Sequence, residues 1–409
     1  MTFLKNNKSS FFLLGSMVIG AVIGAVWGPG AALLQPLADL FLNLLYCVVV
    51  PMIFISLVSS IANMKSLQKL GKVLSIMMIL FIITQVFASV YMVGVCAVFE
   101  PGKGAVINMT EEVKDMSSST NILAMFTVND FSLLWSRKNL MALIVFSMMV
   151  GIALLALGEK GKNLVALFDE GTQLIMKVVG YVMKIAPLGL GALFATLVGQ
   201  YGSEFTGSLA KTLIVYFAAA VAYYFISNTL FAYIGGGTEG VRRYYRYCIP
   251  PTLTSLGTCS SAASIPVNLT AATKCGISND VRDLVIPLGA NLHKDGACLI
   301  TILKISFMCS VLGINFMDPA LIFKAVVCAT LASMVMGAIP AGGYVGELFI
   351  ISMFGFPAVS IPVMVLIGTI TDAPATAINV TGDLSGAMII ERYTNGEDWL
   401  KEVPASSEV

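Results

Sequence analysis

Residues 291–296 read NLHKDG and residues 379–383 read NVTGD, and both stretches place polar and ionisable side chains inside segments that are otherwise apolar. An ionisable side chain at membrane depth is costly, so such residues are rare and usually functional. Together with Asp372, the two stretches supply six such side chains in the last third of the chain: His293, Lys294, Asp295, Asp372, Asn379 and Asp383. We interpret them as a buried site that handles a charged or zwitterionic solute, which indicates transport across a membrane.

The composition excludes an ordinary soluble enzyme. Hydrophobic residues make up 57% of the 409 positions, charged residues only 11%, and the mean hydropathy is +0.88, whereas roughly 25% of residues are charged in a typical globular domain. Apolar runs near the ~20 residues that span a bilayer recur along the chain. They cover about residues 11–28, 33–62, 73–99, 140–157, 172–200, 209–234, 284–314 and 357–390. The sequence therefore predicts an all-α polytopic membrane protein with about eight transmembrane helices.

Two shorter segments, 249–273 and 321–355, are interrupted by Pro and Gly and predict re-entrant helical hairpins. In the first, small side chains surround Pro266, which we expect to interrupt the helix and to expose N–H groups to an anion; a small-residue packing face is the alternative. In the second, residues 337–346 (GAIPAGGYVG) predict a flexible tip able to gate a binding site.

Charge and cysteine patterns add orientation and exclude other classes. The net charge of +1 argues against a nucleic-acid face, and basic loops alternate with loops poor in Lys and Arg, which predicts cytoplasmic N- and C-termini. The first apolar run does not resemble a cleaved signal peptide, because it lacks a small-residue cleavage site. The eight cysteines show no metal-ligand spacing, so we expect neither disulfides nor zinc.

The span over residues 368–386 carries the strongest signal. Asp372, Thr376, Asn379 and Asp383 follow one another at intervals of four, three and four, so they share one helical face. A carboxylate at Asp372 suits a substrate ammonium group, Asn379 can donate to a carboxylate, and Asp383 suits a cation. A polar helix-packing seam is the alternative, but two acids on one mid-membrane face make it the weaker interpretation.

With these features in order, the whole chain resembles the dicarboxylate/amino acid:cation symporter family. The resemblance implies a glutamate-transporter-like fold, a homotrimer in the lipid bilayer of the inner (plasma) membrane, and an elevator-type motion of a transport domain against a static scaffold. It divides the chain as follows: scaffold helices one and two in 1–70, transport-domain helix three in 71–100, an outer loop with scaffold helices four and five in 101–205, the rest of the transport domain in 206–392, and a cytoplasmic tail in 393–409.

The same resemblance implies roles for individual residues. Matches to substrate-binding positions are Ser260, Ser261, Ile339, Gly343, Asp372, Thr376 and Asn379. Matches to positions that couple transport to a cation or proton are Thr84, Gly289, His293, Lys294, Asp295, Asn379 and Asp383, of which Gly289, Asn379 and Asp383 are candidate sodium ligands. No other cofactor is implied.

Departures from the family pattern bear on the substrate. Members that carry acidic substrates use an Arg to hold the side-chain carboxylate, but the matching positions here are Ala375 and Cys259. A second carboxylate would be buried unpaired. We therefore expect a small neutral amino acid, namely serine, threonine, alanine or cysteine. A sodium-coupled symporter of acidic amino acids or dicarboxylates is the alternative.

Other departures bear on the coupling ion. The family motif Asn-Met-Asp-Gly-Thr is His-Lys-Asp-Gly-Ala here, and Gln85 stands where a small hydroxyl is usual, so at least two of the family's three sodium sites are altered. Three interpretations of Lys294 stay open: a tethered cation that replaces sodium, a proton-coupling group, or a side chain that snorkels away. His293 is either a packing residue or a group that contacts a proton or the substrate.

Two other classes of function are weaker. A gated channel needs a continuous polar path, whereas a compact cluster with two interrupted tips suits an occluding carrier. An intramembrane enzyme would need a catalytic constellation, and no Ser/His pair or HExxH motif is present. We expect a transporter and not an enzyme.

Overall fold

The computed structural model describes residues 8–63, 67–103, 127–136, 139–336, 342–357 and 360–400, and these residues are helical with no strand. Their twelve α-helices, in chain order, are α1 (Lys8–Trp27), α2 (Gln35–Ala62), α3 (Leu67–Phe99), α4 (Leu140–Leu157), α5 (Lys162–Tyr247), α6 (Ile249–Thr258), α7 (Ser261–Cys275), α8 (Asn279–Leu292), α9 (Asp295–Val311), α10 (Pro319–Met336), α11 (Gly342–Phe354) and α12 (Ile361–Asn395).

The fifth and sixth predicted spans form a single helix. α5 runs for 86 residues, through the stretch where the sequence predicts a break between residues 200 and 209. That stretch contains glycines but no proline, so nothing in it prevents the hydrogen-bond ladder from continuing. The chain bends instead by 47° where Val182 meets Lys184, one turn before Pro187, whose missing N–H and ring kink a helix at the preceding turn.

Fewer helices cross a membrane unbroken than the sequence predicts. By length and composition, four described helical stretches qualify, with a fifth if the bent segment counts as one span: Val18–Phe41, Lys72–Phe99, Gly207–Tyr247, Val363–Asn395, and the pair Val145–Val182 with Lys184–Gln200. One of the predicted spans does not qualify because the seventh is split into α8 and α9. The all-α polytopic class is confirmed.

The first hairpin consists of α6 and α7, and its break is not at Pro266. The chain turns at Cys259 and Ser260, where Cys259 takes a left-handed conformation with φ 49°. Pro266 lies inside α7, so the prediction that it interrupts the helix is wrong. The turn leaves α7 starting at Ser261, and the Ser260 hydroxyl caps that start by accepting a hydrogen bond from the Ala263 N–H.

The predicted seventh span is interrupted within the NLHKDG stretch. α8 ends at Leu292, α9 begins at Asp295, and His293 and Lys294 between them are non-helical. Successive side chains of an extended backbone point in opposite directions. The break therefore points the His293 and Lys294 side chains in different directions.

α9 and α12 form the centre of this half of the molecule. Nearly every residue of α9 is buried, including Lys304, and α12 is buried from Ala375 to Glu391. The two helices approach so closely at the start of α9 that a methyl group on Gly296 would overlap the backbone of Ala375. This contact fixes the ionisable residues of one helix against those of the other.

Candidate functional site

His293 joins two carboxylates that come from different helices. Its Nδ1 lies 3.0 Å from Oδ1 of Asp383, and its Nε2 lies 3.1 Å from Oδ1 of Asp295 and 2.9 Å from the hydroxyl oxygen of Thr84. The ring stacks on Phe81 with 4.4 Å between ring centres. His293 is 1% exposed, so the ring is surrounded by protein groups.

Asp295 is held from two sides. Its Oδ2 accepts a hydrogen bond of 2.8 Å from the Tyr223 hydroxyl. Its Oδ1 receives no well-aligned hydrogen bond from the described residues, although Nε2 of His293 is near, because that nitrogen is aligned with the Thr84 oxygen. The contact between His293 and Asp295 is therefore mainly electrostatic, and it gives the buried carboxylate oxygen a counter-charge.

Lys294 points away from His293 and into the first hairpin. Its Nζ donates a 2.8 Å hydrogen bond to the Ser261 hydroxyl, and the residue is 5% exposed. It does not snorkel to the membrane surface. Ser261 opens α7, where the first N–H groups have no partner within the helix, so a buried ammonium and a helix start lie together. Ser260 is used as the helix cap instead.

Asp372 is exposed although it lies beside a buried stretch of α12. Its side chain is exposed, while the flanking Thr371 and Ala375 are buried, and Lys294 and Lys304 both lie within electrostatic range of it. Thr376, one turn further along α12, donates a 3.3 Å hydrogen bond to the Asp372 carboxylate. Asp372 is thus an accessible carboxylate within a largely buried helix.

Four polar residues share one face of α12, and their contacts fall into two separate groups, which we call layers. Asp372 and Thr376 bond to each other, Asn379 accepts a 2.8 Å hydrogen bond from the Gly296 N–H, and Asp383 meets His293. A helix rises 1.5 Å per residue, so Asp372 and Asp383 are about 16 Å apart along its axis. They share a face, as the spacing predicts, but they do not converge on one point.

The three candidate sodium ligands do not fit a sodium ion in this arrangement. The Gly289 carbonyl accepts the His293 N–H at 2.9 Å, the Asn379 oxygen accepts the Gly296 N–H, and Asp383 is paired with the His293 ring. A methyl group on Gly289 would overlap the Asp383 carboxylate, so this part of α8 lies in direct contact with α12.

Several members of the site were missed by the sequence reasoning. Lys304 of α9 forms a buried ion pair of 2.5 Å with Glu347 of α11. Gln85 is noted in the sequence only as a departure at a sodium site, and the structure shows that it donates to the Leu292 carbonyl at the end of α8. A lone acid in the apolar segment 342–354 is the signal that could have identified Glu347. Tyr223 gives no such signal, because aromatic residues are common in membrane helices.

Two predicted site residues belong to the second of the predicted hairpins, residues 321–355. Ile339 falls outside the described residues. Gly343 lies at the start of α11, and its surroundings are not described. The structure groups the remaining site residues in two layers. The first holds Ser260, Ser261, Lys294, Asp372 and Thr376, and the second holds Thr84, Gly289, His293, Asp295, Asn379 and Asp383. Lys294 lies within electrostatic range of both Asp383 and Asp372, so it connects the two layers.

Comparison with known proteins identifies the family. A profile of the sodium:dicarboxylate symporter family matches residues 10–393. The chain belongs to this family. It is 27% identical to a proton/sodium-glutamate symport protein of Bacillus caldotenax, over 96% of this chain and 97% of that protein. It is 24% identical to a C4-dicarboxylate transport protein of Bacillus subtilis (strain 168), over 96% and 95%.

A third relative is C4-dicarboxylate transport protein 1 of Bradyrhizobium sp. (strain ORS 278), with 28% identity over 74% of this chain and 71% of that protein. Members of the sodium:dicarboxylate symporter family are membrane transporters and not enzymes, so the family prediction and the transport prediction are both confirmed. The named solutes of these three relatives are glutamate and C4-dicarboxylates, which differ from the small neutral amino acids that the sequence predicts.

Proposed function

We propose that this chain is a secondary carrier of small neutral amino acids. The observation that carries the proposal is the pairing of one ammonium group and one accessible carboxylate in the same layer. Lys294, with the start of α7 at Ser261, suits the carboxylate of a zwitterion. Asp372, accessible on α12, suits its ammonium group. Serine, threonine, alanine and cysteine match this pair of charges without leaving a second charge to be neutralised.

The charges of the surrounding residues support a zwitterion over a dicarboxylate. Seven ionisable side chains interact in what we call the charge cluster: Asp295, Asp372, Asp383, Glu347, His293, Lys294 and Lys304. Even with all three bases charged, the four acids leave the cluster one negative charge in excess. A zwitterion adds no net charge, whereas a dicarboxylate adds two more negative charges to a buried site, which is costly.

Position 375 supports the same conclusion. Ala375 is 3% exposed and packs its backbone against Gly296, so this part of α12 offers no cation to a second carboxylate. Cys259, the other position where acidic-substrate members carry an Arg, has a neutral thiol. Lys304 is already engaged by Glu347. An acidic amino acid or dicarboxylate remains the second candidate, because the relatives named above carry such solutes.

Uptake by proteoliposomes tests the substrate proposal. We expect labelled serine, threonine, alanine or cysteine to enter saturably and to show counterflow. A gated channel would not show counterflow. Aspartate, glutamate and succinate should compete at least tenfold less well. Asp372→Asn and Lys294→Met should each reduce uptake about 10- to 100-fold, the value of a hydrogen bond to a charged group. Asp283→Asn, at an exposed carboxylate of α8, is the matched control and should transport normally.

Preferred uptake of a dicarboxylate, with neutral amino acids excluded, would overturn the substrate proposal. Unaffected serine uptake in Asp372→Asn would remove Asp372 from the binding site.

The family resemblance extends the proposal to assembly and movement. We propose a homotrimer in the inner membrane of a bacterium with both termini cytoplasmic. In this proposal α3, the latter part of α5 and helices α6 to α12 move as the transport domain against a scaffold of α1, α2, α4 and the first part of α5. Native mass spectrometry of the purified protein tests the trimer. Crosslinks between the two sets of helices, trapped in two different positions, test the movement.

A further inference from the structure

The partners of the His293 ring indicate that both of its nitrogens carry protons. Nδ1 faces Asp383 Oδ1 at 3.0 Å, and an ionised carboxylate only accepts hydrogen bonds. On the other side, the Thr84 hydroxyl lies 3.1 Å from the Phe81 carbonyl, to which it donates. Its oxygen is then free to accept from Nε2 at 2.9 Å. An imidazole that donates from both nitrogens is the cationic imidazolium.

The neutral alternative fits less well. If Nε2 accepted a proton from Thr84 instead, its lone pair would lie 3.1 Å from the Asp295 Oδ1 oxygen. Two electron-rich atoms would then face each other in a site from which water is excluded, and that oxygen has no other hydrogen bond among the described residues. A proton on Nε2 turns this contact into an attraction.

The ring fills the space between the two carboxylates. It lies nearly parallel to Phe81, with 14° between the planes, and a methyl group on Gly382 would come within 3.0 Å of its Cε1 atom. The imidazole is therefore held on one side by an aromatic ring and on another by the backbone of α12. An additional cation at this point would meet a steric obstacle, because the ring already occupies the position between the two carboxylates.

We propose that His293 is a built-in counter-cation that replaces sodium between Asp295 and Asp383, so that the chain binds and moves its solute without sodium. The sequence analysis considered this role for Lys294, but the structure directs Lys294 into the first hairpin and His293 to the two carboxylates. The part that concerns solute movement rests on the carrier function proposed above. The part that concerns ion binding stands on the site alone.

Thermal unfolding of the purified full-length protein tests ion binding without any substrate. An ion that binds only the folded state raises the melting temperature in a saturable manner. We expect wild type to melt within about 1 °C in sodium chloride and in choline chloride of the same ionic strength, since no sodium site is available. His293→Asn removes the ring and leaves an amide oxygen beside both carboxylates, so sodium should raise its melting temperature saturably, by roughly 2 °C or more.

The double variant with Asp383→Asn is the matched control, since it keeps the opened space but removes the carboxylate, and it should lose the sodium response. Saturable stabilisation of wild type by sodium, or a folded His293→Asn protein that ignores sodium, would overturn the proposal. If His293→Asn does not fold, the wild-type comparison and the uptake measurement decide.

Uptake of serine into wild-type proteoliposomes in sodium and in choline provides that second measurement. Rates equal within about twofold are expected, because a twofold change is about 0.4 kcal/mol at 25 °C. Dependence of uptake on sodium would overturn the proposal. If no neutral amino acid is taken up in either salt, the proposed substrate fails, whereas the melting comparison still decides whether sodium binds.

Discussion

The buried pair of Lys304 and Glu347 allows a quantitative test of how charge is held in this fold. Lys304 is 4% and Glu347 2% exposed, and their charged groups lie 2.5 Å apart. Each charge is therefore stabilised by the other charge and not by water. The second Glu347 oxygen has no hydrogen-bond partner among the described residues. Lys304 is therefore the main stabilising partner of this carboxylate.

Replacing one partner leaves the other charged, buried and unpaired. Breaking a buried ion pair in this way costs about 3–5 kcal/mol, whereas replacing both partners by apolar groups of similar volume is often neutral or stabilising. We expect Lys304→Met and Glu347→Met each to destabilise the protein by about 3–5 kcal/mol. The double variant should be no less stable than either single one, which gives a coupling energy of at least about 3 kcal/mol.

Equilibrium unfolding in mixed micelles, followed by circular dichroism, measures the free energy of unfolding of wild type, the two single variants and the double variant. Lys274→Met, at an exposed lysine of α7, and Glu170→Met, at an exposed glutamate of α5, are matched controls that should stay within about 0.5 kcal/mol of wild type. Single variants that lose under about 1 kcal/mol, or a double variant whose loss equals the sum of the single losses, would refute the interpretation that the pair is mutually dependent.

Three further predictions concern local geometry. Gly296→Ala should destabilise the protein by about 1–3 kcal/mol, because the new methyl group meets the facing backbone of α12. Its control is Gly94→Ala, at an open position in α3, which should be neutral or stabilising in the same unfolding assay. Tyr223→Phe removes the hydroxyl that donates to a buried carboxylate and should cost about 1–3 kcal/mol; Tyr233→Phe, at an exposed ring, should cost under about 0.5 kcal/mol. Cys259→Gly should raise the free energy of unfolding by about 1 kcal/mol, since glycine takes the left-handed conformation of the hairpin turn without strain, and an unchanged or lower value would contradict this.

The sequence predicts the fold class because the signal comes from composition and periodicity. A chain with so few charges has few alternatives to membrane helices, and the spacing of the polar residues of α12 is by itself enough to assign them to one helical face. The hairpins follow in the same way from Pro and Gly within apolar segments. These features depend on local sequence. The structure reproduces the shared face of α12 and the first hairpin, although that hairpin turns at Cys259 and not at Pro266, and the tip of the second hairpin falls outside the described residues.

The different contacts of His293 and Lys294 could not be predicted, because they depend on the backbone conformation of these two residues. In a continuous helix, consecutive side chains differ in direction by about 100°, and both could approach the same carboxylate. The break after Leu292 sends them apart, one to Asp383 and one to Ser261. The long α5 was missed for a related reason, since a glycine-rich polar stretch predicts a loop but does not prohibit a helix.

The two layers of the site have different electrical consequences for transport. In the second layer, the charges of Asp295 and Asp383 are balanced in part by His293, which is attached to the protein and moves with it. In the first layer, Lys294 and Asp372 meet a solute that carries one charge of each sign. Loading a zwitterion therefore leaves the net charge of the site unchanged.

A charge moved across a membrane potential changes its free energy by about 2.3 kcal/mol per 100 mV. If both proposals hold, the loaded and the empty site have the same charge, and the potential cannot drive accumulation through the solute. Exchange of one neutral amino acid for another would then be the favoured mode, and an imposed potassium diffusion potential should leave the final accumulation of the solute unchanged. Accumulation of the solute driven by a negative interior would require a moving cation, and would show that the tethered imidazolium is not the only positive charge that accompanies the solute.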